Sequence, residues 1–179
     1  GFIRGSGSGS NNVYILNSVI EKGVVIGCDG PTTAGSFIGP LNGRIINCIS
    51  YAEVNGCGGI AGYKGQSMGD CSIINSAFLG TVNSALYAGG IIGSGYNGYG
   101  STGVNSAPNT PTVTILNCYV VADITGKGNV GGILGTEPSC ECCWSNGEGT
   151  LSNNYFKGTV TETSGTGNVG GIVGFMRSF

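Results

Sequence analysis

The chain has 179 residues, 37 of them glycine, with 9% charged residues, no histidine and a formal charge of −2. That length suits one domain with a continuous core, and 40% hydrophobic residues with so little charge set it apart from disordered glycine-rich sequences. The acidic balance excludes a basic face for nucleic acid, and no apolar run approaches the roughly 20 residues of a membrane-spanning helix.

Residues 1–12, GFIRGSGSGSNN, read as a partial repeat, because Gly1–Arg4 has the same phase as Gly174–Arg177. The chain opens without Met or a signal-peptide pattern, which predicts a mature chain or an excised piece. Five copies of one pattern follow. The first, NSVIEKGVVIGCDGPTTAGSFIG (Asn17–Gly39), is worn. The others are NCISYAEVNGCGGIAG (Asn47–Gly62), NSAFLGTVNSALYAGGIIG (Asn75–Gly93), NCYVVADITGKGNVGGILG (Asn117–Gly135) and NNYFKGTVTETSGTGNVGGIVG (Asn153–Gly174). They define repeats at about 13–43, 44–70, 71–112, 113–150 and 151–179 of a single domain.

Within each copy the first element is short and rich in β-formers, as in VYILNSVI, RIINCISY and VTILNCYV. None has helical apolar spacing over ten residues, and glycine recurs too often for a helix. The second element carries Val24, Val54, Val82, Ile124 or Val160, seven residues after the template Asn. The third is Gly-Gly-Ile-x-Gly. Two or three strands per copy, repeating every 28 to 42 residues, predict an all-β, right-handed parallel β-helix or solenoid of about five coils. No cap is recognisable at either end.

Stacked coils lie about 4.8 Å apart, so equivalent residues form columns. Phe37, Ile60, Ile91, Ile133 and Ile172 are expected to line the interior. The glycines before them supply either positive φ or close backbone approach. Asn17, Asn47, Asn75, Asn117 and Asn153 are expected to form a hydrogen-bonded ladder at one corner, with isolated turn-forming asparagines as the alternative.

Two connections, 94–112 and 136–150, interrupt the rhythm after the same motif in neighbouring copies. They carry Tyr96, Tyr99 and Trp144 and are expected to emerge side by side as a ligand or partner patch. Eight cysteines without histidine point to disulfides in an oxidising compartment rather than a metal site. Cys28 and Cys57 fall at similar offsets in adjacent coils, about 5 Å apart if stacked. Cys71 is expected to pair with Cys140, Cys142 or Cys143. Cys48 and Cys118 share one repeat position two coils apart, about 10 Å and too far to bond.

At Asn117–Gly135, and through Gly58–Gly62, Gly89–Gly93, Gly131–Gly135 and Gly170–Gly174, the chain resembles the GLUG-motif repeats of secreted and surface-anchored bacterial proteins. These include adhesin-like proteins and non-catalytic parts of immunoglobulin-cleaving metallopeptidases. Gly35–Gly39 departs from the motif, and the cysteine-rich insertion is foreign to it. The resemblance implies an extracellular β-solenoid and carries no catalytic residue over.

Without histidine there is no Ser-His-Asp or Cys-His arrangement and no HExxH zinc site. The nine acids share no repeat position. Glu137, Glu141 and Glu148 lack the alternating order of a calcium loop, and Thr112, Thr114, Thr159, Thr161 and Thr163 form no recurrent threonine row. No cofactor or metal is expected. The expected function is non-enzymatic: an extracellular, cell-surface structural or adhesive module. Its expected partner is itself, head to tail in a filament, or the flanking repeats of a parent chain, with surface glycans as a further partner. The alternatives are a carbohydrate-binding module using the two insertions and a polysaccharide-processing β-helix enzyme.

Overall fold

A computed structural model describes residues 13–27, 34–41, 43–64, 71–94, 113–136 and 149–175. These residues are all-β with no helix. The first copy contributes β1 (Val13–Leu16), β2 (Val19–Ile20), β3 (Val25–Gly27) and β4 (Ile38–Leu41). The second contributes β5 (Gly43–Ile46), β6 (Ile49–Ser50), β7 (Glu53–Asn55) and β8 (Ala61–Lys64). From the third come β9 (Cys71–Ile74), β10 (Ala77–Phe78), β11 (Thr81–Asn83), β12 (Ala88–Gly89) and β13 (Ile92–Ser94). The fourth holds β14 (Val113–Leu116), β15 (Tyr119–Gly126), β16 (Val130–Gly131) and β17 (Leu134–Thr136), and the fifth β18 (Gly149–Ser152), β19 (Tyr155–Glu162), β20 (Val169–Gly170) and β21 (Val173–Phe175).

Each strand pairs in parallel with its counterpart in the neighbouring copy, giving a solenoid-like stack of curled sheets. One sheet runs β1-β5-β9-β14-β18 and another β4-β8-β13-β17-β21. A third is built from β2 and β3, β6 and β7, and β10 and β11, which merge onto the continuous strands β15 and β19. The fourth, β12-β16-β20, is extended by the bridges Gly35↔Gly58 and Gly58↔Gly89. Short apolar-polar alternation explains the elements: in β15 the side chains alternate between solvent and core along the strand.

The inward columns make one core. Phe37, Ile60, Ile91 and Ile133 are fully buried, and each passes its backbone N–H to the carbonyl of the next copy at 2.9–3.1 Å. Ile172 occupies the same column but is 41% exposed, which corrects the expectation that all five line the interior. A second correction concerns Val24. Ile26, not Val24, stands in register with Val54, Val82, Ile124 and Val160. Between Ile20 and Val25 the first copy holds four residues where the second holds only Tyr51 and Ala52 between Ser50 and Glu53. The surplus is taken up in a turn at Lys22–Gly23, with Gly23 at φ 90°.

The glycine pairs act by close approach. None of them is among the glycines with positive φ. The second glycine faces the opposite wall: a Cβ on Gly90 would stand 2.6 Å from Val120 Cγ1, and one on Gly59 would stand 2.5 Å from the Phe78 ring. Such distances are below any normal contact, so only the absence of a side chain lets the walls meet.

The two ends of the stack differ. In the first copy Ile15 and Ile20 are 5% and 7% exposed, and Phe37, Ile38 and Leu41 are each at 1%. In the fifth, Leu151, Phe156, Val160 and Val173 are only partly buried, and Val169 and Ile172 are exposed. Val13 and Ile26 of the first copy are also only partly buried, so the core thins at both ends and most at the fifth copy.

Candidate functional site: the asparagine corner and the open end

The corner after the first strand of each copy is built from two consecutive residues with opposite roles. Asn17, Asn47, Asn75, Asn117 and Asn153 all have φ between 50° and 55°, and they are the non-glycine residues with positive φ among the described ones. Asparagine tolerates this left-handed geometry because its short amide bonds locally. The same side chains point outward and bond between copies. Asn47 Nδ2 donates to Asn17 Oδ1 at 3.1 Å, Asn117 Nδ2 to Asn75 Oδ1 at 3.1 Å, and Asn153 Nδ2 to Asn117 Oδ1 at 3.2 Å. Turn former and ladder rung are therefore the same residue.

The next residue turns inward. Ser18, Cys48, Ser76, Cys118 and Asn154 occupy this position. Ser76 Oγ donates to the Ile74 carbonyl at 2.9 Å and accepts from Cys48 N–H at 3.1 Å. Cys118 Sγ donates to the carbonyls of Leu116 and Ile73 at 3.3 and 3.4 Å, and Asn154 Oδ1 accepts from Cys118 N–H at 2.9 Å. These side chains satisfy backbone groups left over where the strands bend, which buried groups require. The signal was present in sequence as a small hydrogen-bonding residue after every template Asn. A second, shorter ladder was not anticipated: Asn168 Nδ2 donates to Asn129 Oδ1 at 2.9 Å. Its mark in the sequence is the shared Gly-Asn-Val-Gly-Gly of the last two copies.

Burial raises the thiol pKa of Cys48 and Cys57, and pushes that of Cys118 up to about 11, because an ionised sulfur would lose its water. Among the described residues no two cysteines are bonded to each other. Cys48 and Cys118 lie two copies apart, separated by Ser76. Cys57 Sγ accepts from Ser84 Oγ at 3.7 Å, and Cys71 Sγ donates to the Leu41 carbonyl at 3.4 Å. Their expected partners, Cys28, Cys140, Cys142 and Cys143, lie outside the described residues, as do Tyr96, Tyr99 and Trp144.

Exposed aromatic residues do occur elsewhere. Tyr119 and Tyr155 are neighbours across β15 and β19, and Tyr51 lies on the outer face of the same sheet. Farther along these strands Thr159 Oγ1 donates to Asp123 Oδ1 at 2.5 Å, and Thr125 is paired with Thr161. The pKa of Glu162 is lowered first by the Ser164 hydroxyl, then by the N–H groups of Ser164 and Gly165 at 2.6 and 2.7 Å. Among the described residues no three His, Cys, Asp or Glu side chains are grouped to hold a metal ion, and no helix is long and apolar enough to cross a membrane.

The open end joins these features into a surface. The edges of β18, β19, β20 and β21 face away from the fourth copy, beside Phe156, Val160, Val169 and Ile172. Unpaired strand edges beside apolar side chains are a template for further β-structure. Comparison of the chain with protein-family models, curated proteins and solved structures found no match.

Proposed function

We propose that this chain is an extracellular structural and adhesive module: a right-handed parallel β-helix of about five coils, of the GLUG-repeat kind, that joins end-on to further β-repeats. The observation that carries this reading is the exposure of the core columns at the fifth copy, where Val169 and Ile172 are exposed and Leu151, Phe156, Val160 and Val173 are only partly buried. A repeat buries its faces only against neighbours, and an uncovered terminal repeat costs solubility unless something stacks on it. The side chains column by column serve stacking, and the two corner ladders give the stack a direction. A disulfide between Cys28 and Cys57, and one from Cys71 to Cys140, Cys142 or Cys143, would suit the same compartment.

Sedimentation velocity at micromolar concentration tests the proposal. The wild type should associate, and Val169→Asp with Ile172→Asp should be monomeric while its far-UV circular dichroism is unchanged. A wild-type chain that stays monomeric would end the end-on reading.

A second reading has one observation in its favour, the exposed Tyr51, Tyr119 and Tyr155 on one sheet face. Flat rings beside Asn, Thr and Asp side chains suit a neutral glycan. Glycan-array binding lost in Tyr119→Ala and Tyr155→Ala would support it, and an array without signal would remove it.

A further inference from the structure

We infer that the outer face of the third sheet binds a neutral, extended β-1,4-linked glycan laid along the solenoid axis, one sugar ring to each coil. Resting on the glycan reading above, this adds the linkage and the direction of the ligand. Four outward columns cross the face. The first sets Tyr119 in register with Tyr155. Two residues further along the strands come Tyr51, Leu79 and Val121. Beyond them Thr81, Asp123 and Thr159 share one register row, and Asn83, Thr125 and Thr161 share the next. One half of the face is therefore apolar, and the other carries hydroxyl, amide and carboxylate groups. Tyr51 and Tyr119, 37% and 42% exposed, belong to the second and fourth copies, so their sideways exposure holds whatever lies beyond either end of the stack. Val82, Val120 and Ile124, fully buried, fix the strands that carry these columns.

A sugar ring presents C–H groups on its faces and hydroxyls around its rim, so it needs an aromatic or aliphatic floor beside hydrogen-bonding groups. Neighbouring outward columns lie about 6.6 Å apart along a strand, which puts both kinds of group within reach of one ring. Thr159 Oγ1 donates to Asp123 Oδ1 at 2.5 Å, and the second carboxylate oxygen of Asp123 is left to accept from a sugar hydroxyl. Lys157 is the one cation among the described residues of these columns, so an anionic polymer has little to pair with. The coil spacing selects the linkage. Equivalent groups recur about every 4.8 Å along the axis. A β-1,4-linked chain is a straight ribbon whose rise per ring is close to that spacing, whereas α-1,4 linkages curl the chain away from a flat face. A straight ligand of matching period meets an equivalent column position at every coil.

Calorimetric titration of the intact chain tests this, with β-1,4-linked oligomers of glucose, xylose and N-acetylglucosamine and α-1,4-linked glucose oligomers of equal length. At least one β-linked series should bind, tightening with length up to about four rings, one for each of the second to fifth copies. The α-linked series should bind at least about tenfold more weakly. Tyr119→Ala should weaken binding about 3–10-fold, and Tyr14→Ala, exposed on another sheet, should leave it unchanged. Both tyrosines are exposed, and far-UV circular dichroism checks that each variant is folded. Affinity independent of length, or equal for the two linkages, overturns the axial track and leaves a glycan site standing. Binding that survives Tyr119→Ala intact overturns the placement. A dimer that Tyr119→Ala dissolves, with no oligomer bound, gives the face to a second copy and overturns the inference. If no oligomer binds while the glycan array gives a signal lost in Tyr119→Ala, linkage and direction fall alone. An array without signal removes the underlying reading as well.

Discussion

Replacing Asn117 by alanine separates the two roles of the corner asparagine. Asn117 sits at φ 53°, donates to Asn75 and accepts from Asn153 at 3.1 and 3.2 Å. Alanine in the left-handed region costs about 1–2 kcal/mol, because its Cβ crowds the following carbonyl. The two lost bonds are solvent-exposed, so each contributes about 0.5 kcal/mol. Asn117→Ala should therefore lower stability by about 2–3 kcal/mol. Asn117→Gly keeps the left-handed turn at little steric cost and loses the bonds, so about 1 kcal/mol is expected. At the end of the ladder, Asn17→Ala loses one bond, that from Asn47, and should cost about 0.5 kcal/mol less than Asn117→Ala. Urea unfolding followed by far-UV circular dichroism measures all three, with unchanged slopes required for comparison. Equal losses for the alanine and glycine variants of Asn117 would refute the backbone part of the reasoning. A glycine variant as stable as wild type would refute the ladder part.

The glycine column gives a paired prediction. Gly90→Ala should destabilise by more than about 2 kcal/mol, because its Cβ meets Val120 and the Gly132 carbonyl, whereas Gly171→Ala meets nothing within 4 Å and should stay within about 0.5 kcal/mol. A similar contrast holds for Ile133→Ala, fully buried and expected to cost about 2–5 kcal/mol, against about 1 kcal/mol or less for Ile172→Ala at the open end. Thermal unfolding of the four variants checks both contrasts. The buried thiols set a pH dependence. Burial lifts the folded pKa of Cys118 from 9.0 to about 11, so its contribution is intact below pH 9, where neither state ionises. As pH rises from 9 towards 11 only the unfolded chain ionises, and stability should fall by on the order of 2 kcal/mol. Cys118→Ser should flatten that decline, and alkylating reagents at pH 8 should leave Cys48 and Cys118 unmodified until the chain unfolds.

The sequence by itself determined the repeat, the β class and most of the columns. A stacked repeat converts equal spacing along the chain into equal position in space, so Asn17 through Asn153 and Phe37 through Ile133 were readable as sets. It also left matters open that spacing cannot reach. Positive φ and close approach both call for glycine, and only the distance from Gly90 to Val120 on the opposite wall selects the second. The two additional residues of the first copy shift Ile26 into the place expected for Val24, a choice made by pairing with Val54 across copies. The inward turn of Cys48, Ser76 and Cys118 follows from where leftover carbonyls lie after the chain bends. Above all, a repeat pattern is the same in every copy, whereas burial depends on what lies on either side. Ile133 and Ile172 have the same motif around them, and only the stack decides that one is core and the other surface.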